Sequence, residues 1–182
     1  MLVSPFDSAV PAIGGRALLS RTNREALRDI LGDRLLFFVP TATGRSGVFA
    51  AFRGHIDGIC SESLDALRNA IRINAVTQVF LDGSNLGAAG QAIRSEFPAV
   101  RIVTFMHNVE ARFFFGLLRA RPRPRVLAVL LANLIAERAA VRSSDVLIAL
   151  SDRDAAMLRR LYGRPADVVL PLVMTDRPPA PP

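Results

Sequence analysis

Six short apolar runs separated by stretches of helical period restrict what this chain can fold into more than any other feature. They are Leu2-Val3-Ser4-Pro5, Leu35 to Val39, Val79-Phe80-Leu81, Arg101 to Phe105, Asp145 to Leu150 and Val168-Val169-Leu170. Runs of this length, ended by proline or by a turn such as Asp82-Gly83-Ser84, read as strands; the continuous run at Leu35–Val39 suits a strand covered on both faces. Between them, Leu18, Leu19, Leu27 and Ile30 give the segment from Arg16 to Leu31 an apolar helical face, stopped at Gly32. A second helix starts at Ser61 with Leu64, Leu67, Ile71 and Val76, and a third carries Leu86, Ala89, Ile93 and Phe97 before Pro98. A long helical region follows His107-Asn108-Val109-Glu110, broken by Pro122 and Pro124, and runs to about Arg142. Ser151-x-x-Asp154 has the spacing of a capping box, opening a helix with Leu158, Leu161 and Tyr162 inward and Gly163 at its end.

Strands alternating with helices of ten or more residues predict an α/β fold: a Rossmann-like, doubly wound, mainly parallel sheet with helices on both faces. The expected domain covers residues 1–174, and residues 175–182 form a proline-rich tail or the start of an interdomain linker. Thr41 to Gly58, with its glycines and no clear period, reads as a loop. Sheets of this kind bind ligands outside the carboxyl ends of their strands. Gly14-Gly15, Asp82-Gly83-Ser84, His107-Asn108 and Ser151 all fall at such ends.

Composition narrows the function classes. Hydrophobic residues are 51% of the 182, so a core forms and disorder is excluded for most of the length. The net charge of +7 comes from 23 basic residues, all arginine, a bias that the nucleotide composition of the source genome explains without any function. Cys60 stands alone, which excludes an internal disulfide framework and an all-cysteine metal site and fits a reducing, cytoplasmic compartment. The N-terminus lacks the basic and apolar regions of a signal peptide, and the most apolar stretch, Val126 to Ala136, is too short to span a bilayer.

The candidate residues each carry two readings. Gly14-Gly15, between the first strand and the first helix, is either a tight turn or a place where backbone N–H groups approach a phosphate or sugar. Neither a dinucleotide fingerprint nor a P-loop is present; Thr43-Gly44-Arg45-Ser46-Gly47 lacks the lysine and opens no helix. His107 is either a satisfied structural imidazole or a group that bonds a sugar hydroxyl or carries a proton. With Glu110 it offers two ligands, too few for a metal site. Asp82 and Glu110 lie on different strands with nothing to set their separation, so no acid–base pair is assigned to them. Phe113-Phe114-Phe115, Leu117 and Leu118, crowded between Arg112 and Arg125, suit either a cover for the sheet with solvated arginine ends or a helix on an anionic membrane surface. Nucleic acid is a poorer fit and is not expected as a partner, because the remaining arginines are scattered and no recognition module is evident.

Leu2-Val3-Ser4-Pro5-Phe6 with Gly14-Gly15, then His107-Asn108-Val109-Glu110, then Asp145-Val146-Leu147-Ile148-Ala149-Leu150-Ser151 followed by a helix and Tyr162-Gly163, occur in that order. Together they resemble the N-terminal, acceptor-side domain of family 4 glycosyltransferases, retaining enzymes of GT-B fold that build bacterial polysaccharides. The resemblance spans nearly the whole chain. It implies a second Rossmann-like domain or subunit that grips a nucleotide-sugar, and a glycan or lipid-linked acceptor held on this one. Carried over by position, His107 would bond the transferred sugar near the reacting carbon, as the catalytic residue of this half. Gly14 and Gly15 would line the cleft near diphosphate and acceptor, and Asn108 and Ser151 would be substrate-binding. The resemblance implies no metal or other cofactor at the transfer step, and a cytoplasmic enzyme peripheral to the inner face of the membrane, docked through Phe113–Arg125. The E-x7-E motif and basic diphosphate clamp of the family belong to the other half, so these residues alone are expected to transfer no sugar. The competing reading is a non-catalytic Rossmann-like module that holds a partner or membrane on its basic, aromatic face.

Overall fold

The structure is a computed structural model that describes residues 1–7, 14–41 and 53–171. Part of the Thr41–Gly58 loop, Thr43–Gly47 within it, and the proline-rich tail lie outside the described residues. Six strands form one sheet: β1 (Leu2–Val3), β2 (Phe37–Phe38), β3 (Gln78–Asp82), β4 (Arg101–Met106), β5 (Val146–Ala149) and β6 (Val168–Val169). Their order is β2-β1-β3-β4-β5-β6, and every neighbouring pair is parallel. The helices between them are α1 (Gly15–Leu31), α2 (Ser61–Ile73), α3 (Gly87–Glu96), α4 (Glu110–Ala120), α5 (Pro124–Ser143) and α6 (Asp152–Tyr162). The expected α/β fold is the one that forms.

Side-chain alternation along the strands divides the core. Val3, Val79, Leu81 and Ile102 point to one face and pack with Leu64, Leu67 and Ile71 of α2 and Ala89 and Ile93 of α3. Met106, Leu147 and Ala149 continue that face against Val141 of α5 and Leu158 of α6. Leu2, Phe80 and Phe105 therefore take the opposite face. There α1 lies across the sheet, its Ser20 hydroxyl 2.7 Å from that of Ser4 and donating to Asp82. Because β1 sits between β2 and β3, the chain winds one way from β1 to β2 and the other way from β3 to β6. This reversal opens a crevice beyond the carboxyl ends of β1 and β3.

Close helix packing supports that crevice from behind. A Cβ placed on Gly87 would lie 1.9 Å from the carbonyl oxygen of Ala136 and 2.7 Å from the amide nitrogen of Ala140. Only glycine lets α3 approach the α5 backbone so closely. The prolines act as expected: α4 ends at Ala120, and α5 opens with Pro124 at its first position, where a missing N–H costs nothing.

Several expectations fail at the margins. Strand β2 is an edge strand with Phe37 exposed, so Leu35–Val39 is not covered on both faces and only two of its residues pair. Ile30 and Leu161, expected inward, are exposed because α1 and α6 bury narrower stripes than their apolar periods suggest. Helix α2 stops at Ile73, and Val76 reaches the core from the turn beyond it, after Ala75 adopts a positive φ. The box at Ser151 is one-sided. Its hydroxyl oxygen accepts from the Asp154 amide, but it donates to the Asp154 carboxylate, which leaves no reciprocal bond to the Ser151 backbone.

Candidate functional site

The register Asp82↔Phe105 sets Asp82, at the end of β3, beside the end of β4. His107 lies two residues past Phe105 and so projects to the same face, the one under α1. The two side chains meet: His107 Nε2 donates to Asp82 Oδ1 at 2.8 Å. Asp82 is fully buried, and its other partners come from β1 and α1. Ser4 Oγ donates to Oδ2 at 2.9 Å, Ser20 Oγ donates to the same oxygen, and Asn23 Nδ2 donates to Oδ1 at 2.8 Å. Burial pushes this carboxyl up, but the bond and charge of His107, with the bonds from Ser20 and Asn23, outweigh it and hold Asp82 below the ordinary aspartate value.

An ionised carboxylate only accepts, so the Nε2 atom must carry a proton. Nδ1 is buried and meets no hydrogen-bond partner among the described residues. Phe105 packs edge-on against the imidazole and limits its rotation. The result is a buried histidine with one nitrogen fixed and the other unoccupied.

Helix α1 begins at the same crevice. Gly14, its N-terminal residue, has φ +94°, a conformation that side-chain-bearing residues rarely adopt, and supplies no capping side chain. A Cβ on Gly14 or Gly15 would meet nothing within 4 Å, so a ligand can come up to the first N–H groups of α1. Arg16, on the first turn, donates to Asp57 Oδ2 at 2.6 Å, and its Nε lies 3.9 Å from Glu110 Oε1. Asn85 Nδ2 donates to the same Asp57 oxygen at 2.8 Å. Burial pushes the Glu110 carboxyl up against the pull of Arg16, with Asp57 adding to the push.

The turn carrying His107 is held from behind. Val109 precedes α4 and has no side-chain oxygen for the free N–H groups of the helix. Glu137, fully buried on α5, takes that role: Oε1 accepts from the Glu110 amide at 2.7 Å and Oε2 from the Ala111 amide at 3.1 Å. Tyr162 of α6 donates to Oε2 at 2.6 Å. Burial raises the Glu137 carboxyl, against the bonds from Tyr162 and the two amides. Burial and the neighbouring carboxylate push the Tyr162 phenol upward too.

Of the residues singled out in the sequence, Gly14 and Gly15 open α1, whose Arg16 reaches Glu110, and His107 and Asn108 follow β4 just before Glu110. Asn108 is half-buried, next to His107, with Oδ1 unpartnered. Ser151 is at the end of β5, and its hydroxyl is committed to capping α6; among the described residues no hydrogen bond joins it to the Asp82–His107 cluster. Sequence reasoning missed Asp82 as the partner of His107, the α1 residues Ser20 and Asn23, the Arg16–Asp57–Asn85 chain, and Glu137. A glutamate directly after the apolar run of α5 and a serine following Leu18-Leu19 were the available signals. Among the described residues no group of three His, Cys, Asp or Glu side chains is placed to hold a metal ion.

Helix α4 packs along α5 and buries only Glu110 and Ala111. Phe113 and Phe115 are 61% and 54% exposed, so the stretch does little to cover the sheet. Beside them Ala111, Phe115, Leu130, Leu134, Met157 and Leu161 line an apolar groove of about 330 Å³. No helix among the described residues is long and apolar enough to cross a membrane. Set against family models, curated proteins and solved structures, the chain matches none.

Proposed function

We propose that this chain is the acceptor-side half of a retaining, GT-B type glycosyltransferase, working with a second domain or subunit that binds the nucleotide-sugar. The observation that carries the reading is His107: buried at the end of β4, anchored through Nε2 to Asp82, with Nδ1 unpartnered near Gly83. A transferase of this kind must hold a sugar hydroxyl steady near the bond being broken. An imidazole locked by a buried carboxylate meets that demand without spending binding energy on its own ordering. In this reading His107 bonds the transferred sugar, Gly14 and Gly15 leave room for diphosphate and acceptor, and Asn108 contributes a polar contact. Ser151 serves the edge of the cleft only through α6. The exposed phenylalanines of α4, flanked by Arg112, Arg119, Arg121, Arg123 and Arg125, would rest on an anionic membrane surface at the cytoplasmic side, where lipid-linked acceptors are held.

The test is sugar transfer by the enzyme assembled with its donor-binding half, comparing wild type with His107→Ala. The expected result is a loss of about a hundredfold in transfer, the usual scale for one preorganised contact at a reacting centre, with acceptor binding retained. The competing reading, a binding module using the α4 face, predicts that transfer is indifferent to His107. Unchanged transfer in the variant rejects the catalytic role.

A further inference from the structure

Three helical stripes meet in the apolar groove beside α4. Arg112 and Phe115 line it from α4, Leu130 and Leu134 from α5, and Met157, Arg160 and Leu161 from α6. Members of each set stand three or four residues from one another and so share one helix face. Ala111 and Leu130 are buried there, whereas Phe115 and Leu161 stay open to solvent. The groove lies apart from His107. Helices α5 and α6 pack through Val141 and Leu158 on the sheet face of Met106, Leu147 and Ala149, and His107 projects to the opposite face, under α1.

Its charge is one-sided. No carboxylate lines the groove, and none of the arginines from Arg112 to Arg160 forms an ion pair among the described residues. Elsewhere arginines find partners: Arg16 on Asp57, Arg94 on Asp145 and Arg164 on Asp167. Apolar walls with two unpaired cations fit a molecule that has an apolar body and an anionic head. Size then selects among such molecules. The groove holds about 330 Å³, whereas two turns of helix, about 11 Å long and about 10 Å across, fill roughly 850 Å³. An extended peptide is no better matched, because its backbone N–H and C=O groups would face apolar side chains. A hydrocarbon chain brings no such groups. A bilayer surface, flat on this scale, covers the exposed ridge at Phe113 but does not fill a recess.

We infer that this groove is a binding site for one hydrocarbon chain of an anionic lipid, which lies along Leu130, Leu134 and Met157 with its charged head held by Arg112 and Arg160. The site goes beyond the proposed function: it requires neither sugar transfer nor an intact bilayer, and its helices cover the other face of the sheet from His107. Phe115 belongs both to the groove and to the exposed ridge of α4, so the site takes its lipid from the surface on which that ridge would rest.

The experiment is NMR of the 182-residue chain labelled at its methionine methyl groups, titrated with decyl phosphate below its micelle concentration. Met157 lines this groove and Met1 lines a second, also of about 330 Å³, at the amino ends of β1 and β3, so one spectrum reports on both. Met157 should shift saturably and Met1 should not. Octyl phosphate should bind about fifteenfold more weakly, at roughly fourfold per buried methylene. Decyl maltoside, with the same chain and no charge, should bind more weakly by about fivefold or more, and inorganic phosphate should leave Met157 unmoved. Arg160→Gln, at an exposed position, should lower the affinity for decyl phosphate about fivefold, and Arg112→Gln repeats the test from the other helix. The inference is overturned if Met157 shows no saturable shift, if Met1 shifts alike, if decyl maltoside or phosphate does as well, or if both arginine variants bind like wild type. A glutamate-rich amphipathic peptide that moves Met157 where decyl phosphate does not would also overturn it, in favour of a protein occupant. Saturable binding at Met157 with sugar transfer indifferent to His107 would leave this site standing and reject the transferase. Transfer lost in His107→Ala with Met157 unmoved would do the reverse.

Discussion

Replacing Asp82 should be among the most damaging single changes in the molecule, and the size of the loss follows from its partners. Asp82→Ala strands the N–H of His107 in a buried site and removes the acceptor of Asn23, while Ser4 and Ser20 still have each other at 2.7 Å. Hydrogen bonds to a charged group contribute about 1.5–3 kcal/mol each, and removing the desolvated carboxylate returns part of that. A net loss of about 3–5 kcal/mol results, the usual range for breaking a buried pair. At about 2–4 °C per kcal/mol for a domain of this size, the melting temperature should fall by roughly 10 °C. Asp82→Asn keeps an oxygen for Asn23 and His107 and turns its NH2 toward two hydroxyls able to accept, so its loss should be about 1–2 kcal/mol. The pH dependence has a definite sign. Because the folded-state value of Asp82 lies below the ordinary 3.8, its contribution is fully present above that pH and is lost as pH falls through the folded value. The gap between wild type and Asp82→Asn should therefore be widest near neutrality and close below pH 3.8. Calorimetric melting across pH measures both quantities, with exposed Asp65→Ala as the control. An Asp82→Ala protein melting with wild type, or a gap that widens in acid, refutes the reasoning.

Three other outcomes follow from the same packing. Gly87→Ala should destabilise by about 1–3 kcal/mol in chemical denaturation, since its Cβ meets stiff α5 backbone rather than a movable side chain; a neutral effect would mean that α3 and α5 separate freely. For Glu137 the folded value is raised above the ordinary 4.5, so ionising it costs stability as pH climbs through the folded value. Glu137→Gln should accordingly compare better with wild type at pH 7 than at pH 4, and a denaturation series with the opposite trend would contradict a burial-dominated carboxyl. Co-sedimentation with anionic vesicles should weaken with rising salt and fall about tenfold when Phe113 or Phe115 becomes serine, each ring contributing about 1.5 kcal/mol or more of apolar burial; binding that ignores salt or ring removal would dismiss the membrane face.

The fold was legible because its signals are local. Val79-Phe80-Leu81 and the run from Asp145 to Leu150 carry enough adjacent apolar surface to declare themselves strands, and Pro122 and Pro124 divide α4 from α5 by chemistry that needs no neighbours. What depends on neighbours was not legible. Leu35–Val39 looks like an inner strand, and only the order of the sheet makes it an edge. Leu161 has the period of a core residue, yet α6 buries little beyond Leu158. The site shows the same division. His107, Asn108 and the glycine pair stood out by type and by place at strand ends. The network that gives His107 its character joins Asp82 to residues 78, 62, 59 and 25 positions away, at Ser4, Ser20, Asn23 and His107. No spacing rule reaches across such separations; the parallel register and the placement of α1 do. Glu137 was invisible for a related reason: it caps a helix other than its own, and only the packing of α4 on α5 brings it to the Glu110 and Ala111 amides.

The most direct test of the central claim is nitrogen NMR of the His107 imidazole, with and without a bound glycoside. The expected result is an Nε2–H that stays on Asp82 and an Nδ1 signal that moves when a sugar binds. A ring without a proton on Nε2, or an Nδ1 signal unmoved by a sugar that binds, would contradict it.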